Sequence, residues 1–404
     1  MTLAGCGSAE EAKDAMPDVQ IIGVDLLPVR ATERTVWMFV RLRTDAGLTG
    51  LGEASDAFGF QNTTKQQADE MLDELKQFAL MIEGQSPMDI DLYRDVGRTI
   101  ARAGGLISAT AFSAIEQAMW DLAGQMMGLP IHSMIGLDPK LPMFAGEVRG
   151  RLPVYANINR ATQPRTPEGF AATARRAYED GFRAMKAAPF DGFPPLTSPD
   201  AEIQAAADMG IAALEAMREA VGPDVLLMVD AHSNFNVPLA IEVARRLEPV
   251  NLNWYEEPVP PELIDETVEI HNAVKQRMAG GELMFGVNEF SRLASRRPLA
   301  VDVIMPDVKH CGGVKELALI ALSSPAPVTV APHNPSGPIA TAHSVQVAAA
   351  MPNFEILELQ WGEVDWRSEV LDPPEIFENG TIAVPSRPGL GVKLNDPVIR
   401  DRLM

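Results

Sequence analysis

The stretch that decides the fold is Val225–Pro258, VLLMVDAHSNFNVPLAIEVARRLEPVNLNWYEEP. VLLMVD is an unbroken apolar run closed by a carboxylate, which is what a strand buried on both faces requires. NVPLAIEVARRL carries its apolar residues at helical spacing, and LNWYEEP is apolar again until a proline stops it. Asp230 and Glu256 therefore end neighbouring strands, 26 residues apart.

The interval repeats. Glu282 follows Glu256 by 26 residues, Asp307 follows Glu282 by 25, His333 comes 26 later and Glu358 another 25. One βα unit, used repeatedly, delivers a polar side chain at the end of each strand. A closed (β/α) barrel gathers such groups at its C-terminal face, whereas a doubly wound sheet collects them at one switch point. The spacing predicts a TIM-like (β/α)7β barrel of the α/β class. Its strands are expected at Leu152–Asn157, Phe182–Ala187, Val225–Asp230, Leu252–Glu256, Met278–Glu282, Val301–Asp307, Val328–His333 and Phe354–Glu358.

Ahead of this alternation lie strands at 21–29, 35–47 and 48–55, punctuated by glycine turns. Three helices follow them, Lys65–Glu83, Asp89–Arg102 and Ser108–Met127, the last apolar on most sides and hence buried. Strands first and helices after make an α+β unit. The organisation read from the sequence is a disordered leader (1–18), an α+β capping domain (19–148), the barrel (149–365), and a C-terminal segment (366–404) returning to the cap.

A formal charge of −21 argues against nucleic acid or an anionic membrane as partner. No run of eighteen apolar residues exists to span a bilayer. The two cysteines, Cys6 and Cys311, provide no disulfide framework and fit a cytoplasmic protein. Leu3–Cys6 has the local look of a lipoprotein box but lacks the flanking regions of a signal peptide.

Asp230, Glu256 and Glu282 place three hard oxygen ligands on successive strand ends. That set suits Mg²⁺, with water or substrate completing an octahedron. Glu257 competes with Glu256, and because adjacent strand residues point to opposite faces only one can reach the metal. His333 and Asp307 end adjacent strands, and an imidazole held by a carboxylate is a general base. Lys186, closing GFRAMK, adds positive charge from the next strand end, and His232 lies two residues past Asp230 on the same side. Glu358 is the candidate to hydrogen-bond substrate or to oppose the metal, with Glu355 as its competitor.

The ordered set VDAH, WYEEP, GGE, MPDVKHCGG and APHNPSGP, behind an α+β domain, resembles the mandelate racemase branch of the enolase superfamily from about Ile21 to the C-terminus. The resemblance implies Asp230, Glu256 and Glu282 as Mg²⁺ ligands, picking the first glutamate of the pair. It implies Asp307 orienting His333, which removes a proton α to a carboxylate. Many relatives carry a second lysine two positions beyond the first on the second barrel strand, where this chain has Ala188. That departure argues against a racemase with opposed lysine and histidine bases. Asp-x-His on the third strand resembles instead the sugar-acid dehydratases of galactonate type, in which this histidine protonates the departing hydroxyl.

The expected function is therefore Mg²⁺-dependent β-elimination of water from an aldonate-type sugar acid, with Lys186 binding the carboxylate or enediolate. An epimerase, racemase or cycloisomerase using the same enediolate is the alternative. A metallohydrolase would call for His-x-His on the first strand, and Ala156–Asn159 has no histidine. A silent binding protein would not keep a full ligand set. The expected partner is a small carboxylate, and the relatives suggest an even homo-oligomer. Loops 55–62 and 102–105 are expected to cover the barrel mouth, and His310 to be structural.

Overall fold

In the computed structural model, which describes residues 18–58, 62–141 and 148–404, three antiparallel strands come first. They are β1 (Ile21–Arg30), β2 (Val36–Thr44) and β3 (Thr49–Glu53), paired in that order. Helices α1 (Lys65–Leu80), α2 (Ile90–Ala103), α3 (Gly105–Met127) and the short α4 (Ile131–Leu137) follow. Helix α3 is buried without a break from Ser108 to Gly124, so a face-by-face apolar stripe is neither needed nor present. It presses directly on β3: a Cβ on Gly52 would lie 2.0 Å from the Ala114 carbonyl oxygen, and one on Gly50 2.2 Å from that of Ala118. Only glycine permits this approach.

The barrel runs β4 (Arg151–Asn157), α5 (Pro167–Glu179), β5 (Ala184–Ala187), α6 (Asp200–Val221), β6 (Leu226–Asp230), α7 (Val237–Arg246), β7 (Trp254–Glu256) and α8 (Ile264–Ala273). It continues β8 (Met278–Gly280), α9 (Val287–Ala294), β9 (Val303–Ile304), α10 (Gly313–Ser323), β10 (Thr329–Val330), α11 (Pro338–Ala350) and β11 (Leu357–Gln360). Strands β4 to β10 pair in sequence order and in parallel, and β11 pairs with β4. A parallel bridge between Val330 and Phe354 joins β10 to the start of the last strand, so the ring closes. Seven helices and eight strands match the expected (β/α)7β alternation. The strands are shorter than expected after β7: Glu282, Asp307 and His333 lie two or three residues beyond their strands, in the loops.

Side-chain alternation explains why polar groups still converge. Tyr155, Ala184, Met228, Trp254, Met305, Ala331 and Ile356 belong to one apolar cluster, separate from the larger core between strands and helices. They are the barrel interior. The residue two positions later in each case is Asn157, Lys186, Asp230, Glu256, Asp307, His333 and Glu358. With a period of two, each polar group faces the same way as the apolar one beneath it, one layer nearer the mouth.

Cap and barrel share a charged seam. Glu116 of α3 accepts the N–H groups of Val314 (2.7 Å) and Lys315 (3.0 Å) at the start of α10. Glu53 of β3 accepts those of Gly337 (2.7 Å) and Ala340 (2.9 Å) at the start of α11. Each carboxylate satisfies orphan donors at the positive end of a barrel helix. The last segment also lies on the cap: Met404 N–H donates to Pro28 (3.0 Å), and Leu390 N–H to Asp121 Oδ1 (2.8 Å). Among the described residues no helix is long and apolar enough to cross a membrane. Cys311 is buried; Cys6, and nearly all of the stretch expected to be a disordered leader, lie outside the described residues.

Candidate active site

Lys186 sits at the centre of the acidic layer. Its Nζ is 2.7 Å from Glu256 Oε1, 3.2 Å from Glu358 Oε1 and 3.4 Å from Asp230 Oδ2. Burial alone would lower the lysine, but Glu256 and Glu358 outweigh it and hold the ammonium well above its ordinary range. Glu256 also accepts from Trp254 Nε1 at 2.9 Å. Burial, then repulsion from Asp230, pushes its carboxyl well up despite Lys186. Glu358 is fixed by Asn157 Nδ2 (2.7 Å) and Asn334 N–H (2.9 Å). Its competitor Glu355 instead pairs with Arg277 at 2.7 Å.

Glu257, the rival ligand, is occupied elsewhere. It leaves the strand with φ +38°, and its Oε1 accepts the N–H groups of Gly281 (2.7 Å) and Glu282 (3.3 Å). Glu257 thereby shapes the turn that turns Glu282 inward. Glu282 Oε2 is buried and accepts no hydrogen bond among the described residues. Ligand atoms of Asp230, His232 and Glu282 lie within 4.8 Å of one another. A buried carboxylate oxygen without a donor, beside other carboxylates that repel one another, fits a hard divalent cation. This trio takes in His232, while Glu256, expected as the third acid, is turned to Lys186 and Trp254.

Two imidazoles flank this acidic pocket in the same way. His232 Nδ1 donates to Asp191 Oδ1 at 2.6 Å, and its Nε2 lies 3.1 Å from Asp230 Oδ2. His333 Nδ1 donates to Asp307 Oδ2 at 2.8 Å, and its Nε2 lies 3.3 Å from Glu282 Oε2. Each ring is thus anchored through Nδ1 and presents Nε2 to the pocket. Burial opposes protonation of both, yet Asp230 with Asp191, and Glu282 with Asp307, raise the two imidazoles above the usual histidine range. Asp307 itself is held below the carboxylate range by Lys309 and His310 against its burial.

The family profile described as Enolase C-terminal domain-like matches residues 169–398, and that of the Mandelate racemase / muconate lactonizing enzyme N-terminal domain matches residues 20–136. The chain belongs to the mandelate racemase branch of the enolase superfamily. It is 31% identical over 375 residues to D-xylonate dehydratase of Haloferax volcanii, covering 89% of this chain and 83% of the relative. D-gluconate dehydratase of Thermoproteus tenax is 30% identical over 369 residues, 90% of this chain and 69% of the relative. D-galactonate dehydratase of Ralstonia nicotianae is 30% identical over 377 residues, 91% of each. Among solved structures, a putative dehydratase from Mesorhizobium loti superposes with a TM-score of 0.83 at 26% identity, covering 95% of this chain and 99% of that one.

Asp191 and Lys309 were not legible from spacing in this enolase superfamily member. Asp191 follows β5 in the loop FDGF and is held by Asn159 Nδ2 (2.8 Å) and Arg165 (3.2 Å). Of the two expected covers, loop 55–62 is described except for residues 59–61. Its Asp56 pairs with Arg160 at 2.8 Å, and Arg160 reaches Glu363 at 3.0 Å. The second, 102–105, is a tight corner and not a loop: α2 and α3 leave only Gly104 between them, Gly105 takes φ +73°, and Arg102 reaches Glu289 of barrel helix α9 at 2.9 Å. His310 contacts Thr110 at 2.8 Å, and burial lowers it to about 3, as suits a structural histidine.

Proposed function

We propose that this enzyme is a Mg²⁺-dependent dehydratase of an aldonate-type sugar acid, yielding a 2-keto-3-deoxy acid. The single observation that carries the reading is the pair of carboxylate-anchored imidazoles whose Nε2 atoms face one acidic pocket at Asp230 and Glu282. β-Elimination needs a base for the α-proton and an acid for the departing hydroxyl, and one histidine can serve each.

Asp230, Glu256 and Glu282 would hold the cation, which when bound supplies positive charge against the dianion developing on the substrate carboxylate. His333 Nε2 takes the C2 proton. Asp307 fixes the tautomer that leaves Nε2 free to accept it and stabilises the imidazolium that results. His232, protonated between Asp191 and Asp230, gives its Nε2 proton to the C3 hydroxyl as the C–O bond breaks. The enol left behind tautomerises to the ketone. Lys186 lies where a substrate oxygen on the acidic layer would meet an ammonium, and Glu358 keeps that ammonium aimed. Relatives named for xylonate, gluconate and galactonate dehydration support the same chemical class.

The test is to incubate purified protein with Mg²⁺ and a panel of aldonates, reading keto acid as its semicarbazone. Keto acid from at least one aldonate is expected. Loss of C2 configuration with no keto acid from any of them would replace the dehydratase reading with an epimerase.

A further inference from the structure

Lys309 has no part in the reaction as described, although its side chain is completely buried two residues past Asp307. Its Nζ lies 2.6 Å from Asp307 Oδ2 and is also hydrogen-bonded to Ser336 Oγ. Its own backbone N–H donates to Asp307 Oδ1 at 2.7 Å. His333 Nδ1 reaches the same Oδ2 at 2.8 Å. Asp307 is therefore gripped on both oxygens, and Lys309 and His333 share one of them.

Ser336 gives the contact its reach. It lies three residues past His333, in the loop that leaves β10, whereas Lys309 and Asp307 lie in the loop that leaves β9. The ammonium thus bridges the two loops that carry the candidate base and its carboxylate. Ser336 is held in turn by Arg367, whose Nη1 donates to its carbonyl oxygen at 2.6 Å. The next residue, Gly337, donates its N–H to Glu53 of the cap at 2.7 Å. A Cβ on Gly337 would come within 2.7 Å of Glu53 Oε1, so it is glycine at 337 that lets the loop lie this close to the cap. An unpaired ammonium in this position would be expelled to water. This one is matched by a full carboxylate and a hydroxyl, and it does not touch the acidic layer around Lys186.

We infer that Lys309 is a positioning residue for His333: by clamping Asp307 to Ser336 it fixes the spacing of the two loops, and so the direction in which the imidazole presents Nε2. The inference rests on the dehydratase reading above, because it assigns Lys309 to the α-proton step of that reaction. Without the clamp, Asp307 keeps its bond to His333 but gains freedom to swing, and the ring swings with it. Misplacement of a base by about 1 Å is enough to cost on the order of 100-fold in rate.

The test uses the full-length enzyme with Mg²⁺ on D-xylonate, D-gluconate and D-galactonate, with Lys309→Met, Asp307→Asn and the double variant. Lys309→Met should lower kcat about 100-fold while KM moves less than about threefold. C2 proton exchange in D₂O should fall by the same factor. Because Lys309 acts through Asp307, adding Lys309→Met to Asp307→Asn should cost little more, whereas a purely structural role would cost as much in either background. Should Lys309→Met fail to fold, Ser336→Ala breaks the bridge while leaving the ammonium paired, and a fall in kcat that vanishes in Asp307→Asn supports the same conclusion. A kcat within about threefold of the unmodified enzyme in whichever variant folds, or additive losses in the double variant, overturns the role of Lys309 and leaves the dehydratase reading intact. An unmodified enzyme that turns over no acid of the wider aldonate panel, these three included, overturns both.

Discussion

Asp191 Oδ1 accepts the Nδ1 hydrogen of His232 at 2.6 Å and so turns the opposite ring nitrogen onto Asp230. The two residues come from loops after different strands, and nothing in their spacing announces the pair. A carboxylate behind an imidazole fixes its tautomer and favours its protonated form, which is the form an acid for a leaving hydroxyl must take. Asp191→Asn should therefore lower dehydration about 10- to 100-fold while C2 proton exchange, which depends on His333, changes little. Measuring both rates on one substrate decides the matter, and a parallel fall in both would move Asp191 to a general structural role.

Lys186 lies within ion-pair distance of three buried carboxylates at once. Removing it leaves Glu256, Glu358 and Asp230 facing one another out of water, at a cost of roughly 3–5 kcal/mol. A divalent cation would offset part of that repulsion. Lys186→Met should then show a large drop in Tm in EDTA and a clearly smaller one in excess Mg²⁺. An equal drop in both would argue that these acids do not share a cation.

His343 predicts an acid limit to stability. Its Nε2 donates to the Leu51 carbonyl at 2.8 Å, its Nδ1 is buried with no hydrogen-bond partner among the described residues, and burial holds the imidazole down to about 4. The folded value lies below the unfolded one of about 6.5. Stability from this group is thus complete above pH 6.5 and is lost as pH falls towards 4. A difference of about 2.5 units corresponds to about 3 kcal/mol. Tm should fall between pH 7 and pH 4.5, and His343→Gln should flatten that fall by roughly 3 °C. Parallel curves for the two proteins would assign the acid limit elsewhere.

How much the chain discloses depends on whether a residue lies on a strand or beyond one. Asp230, Glu256 and Lys186 lie on strands, where a period of two ties them to the apolar interior beneath; the 26-residue interval locates the first two, and Lys186 is located by closing the apolar run GFRAMK. Asp307 and His333 keep the same parity two residues past Met305 and Ala331, so they too could be found. Glu282 breaks the parity, since Gly281 at φ +105° redirects the chain. His232 and Ser233 (φ +45° and +57°) likewise take left-handed turns that no periodicity encodes. Partners supplied by other loops, such as Asp191 for His232 and Ser336 for Lys309, follow from how separate loops fold over one mouth, and local pattern carries no signal for that. The choice between Glu256 and Glu257 needed the family resemblance, because parity alone requires knowing which face is interior.

The most direct measurement follows the reaction in D₂O by proton NMR, with Mg²⁺ and an accepted aldonate, for the unmodified enzyme and His232→Asn. The unmodified enzyme should give 2-keto-3-deoxy acid carrying one deuterium at C3, and His232→Asn should exchange the C2 proton of unconsumed substrate while forming at least about 100-fold less keto acid. Undiminished keto acid from His232→Asn, or C2 exchange without any elimination by the unmodified enzyme, would contradict an acid and a base set on opposite sides of one metal-binding pocket.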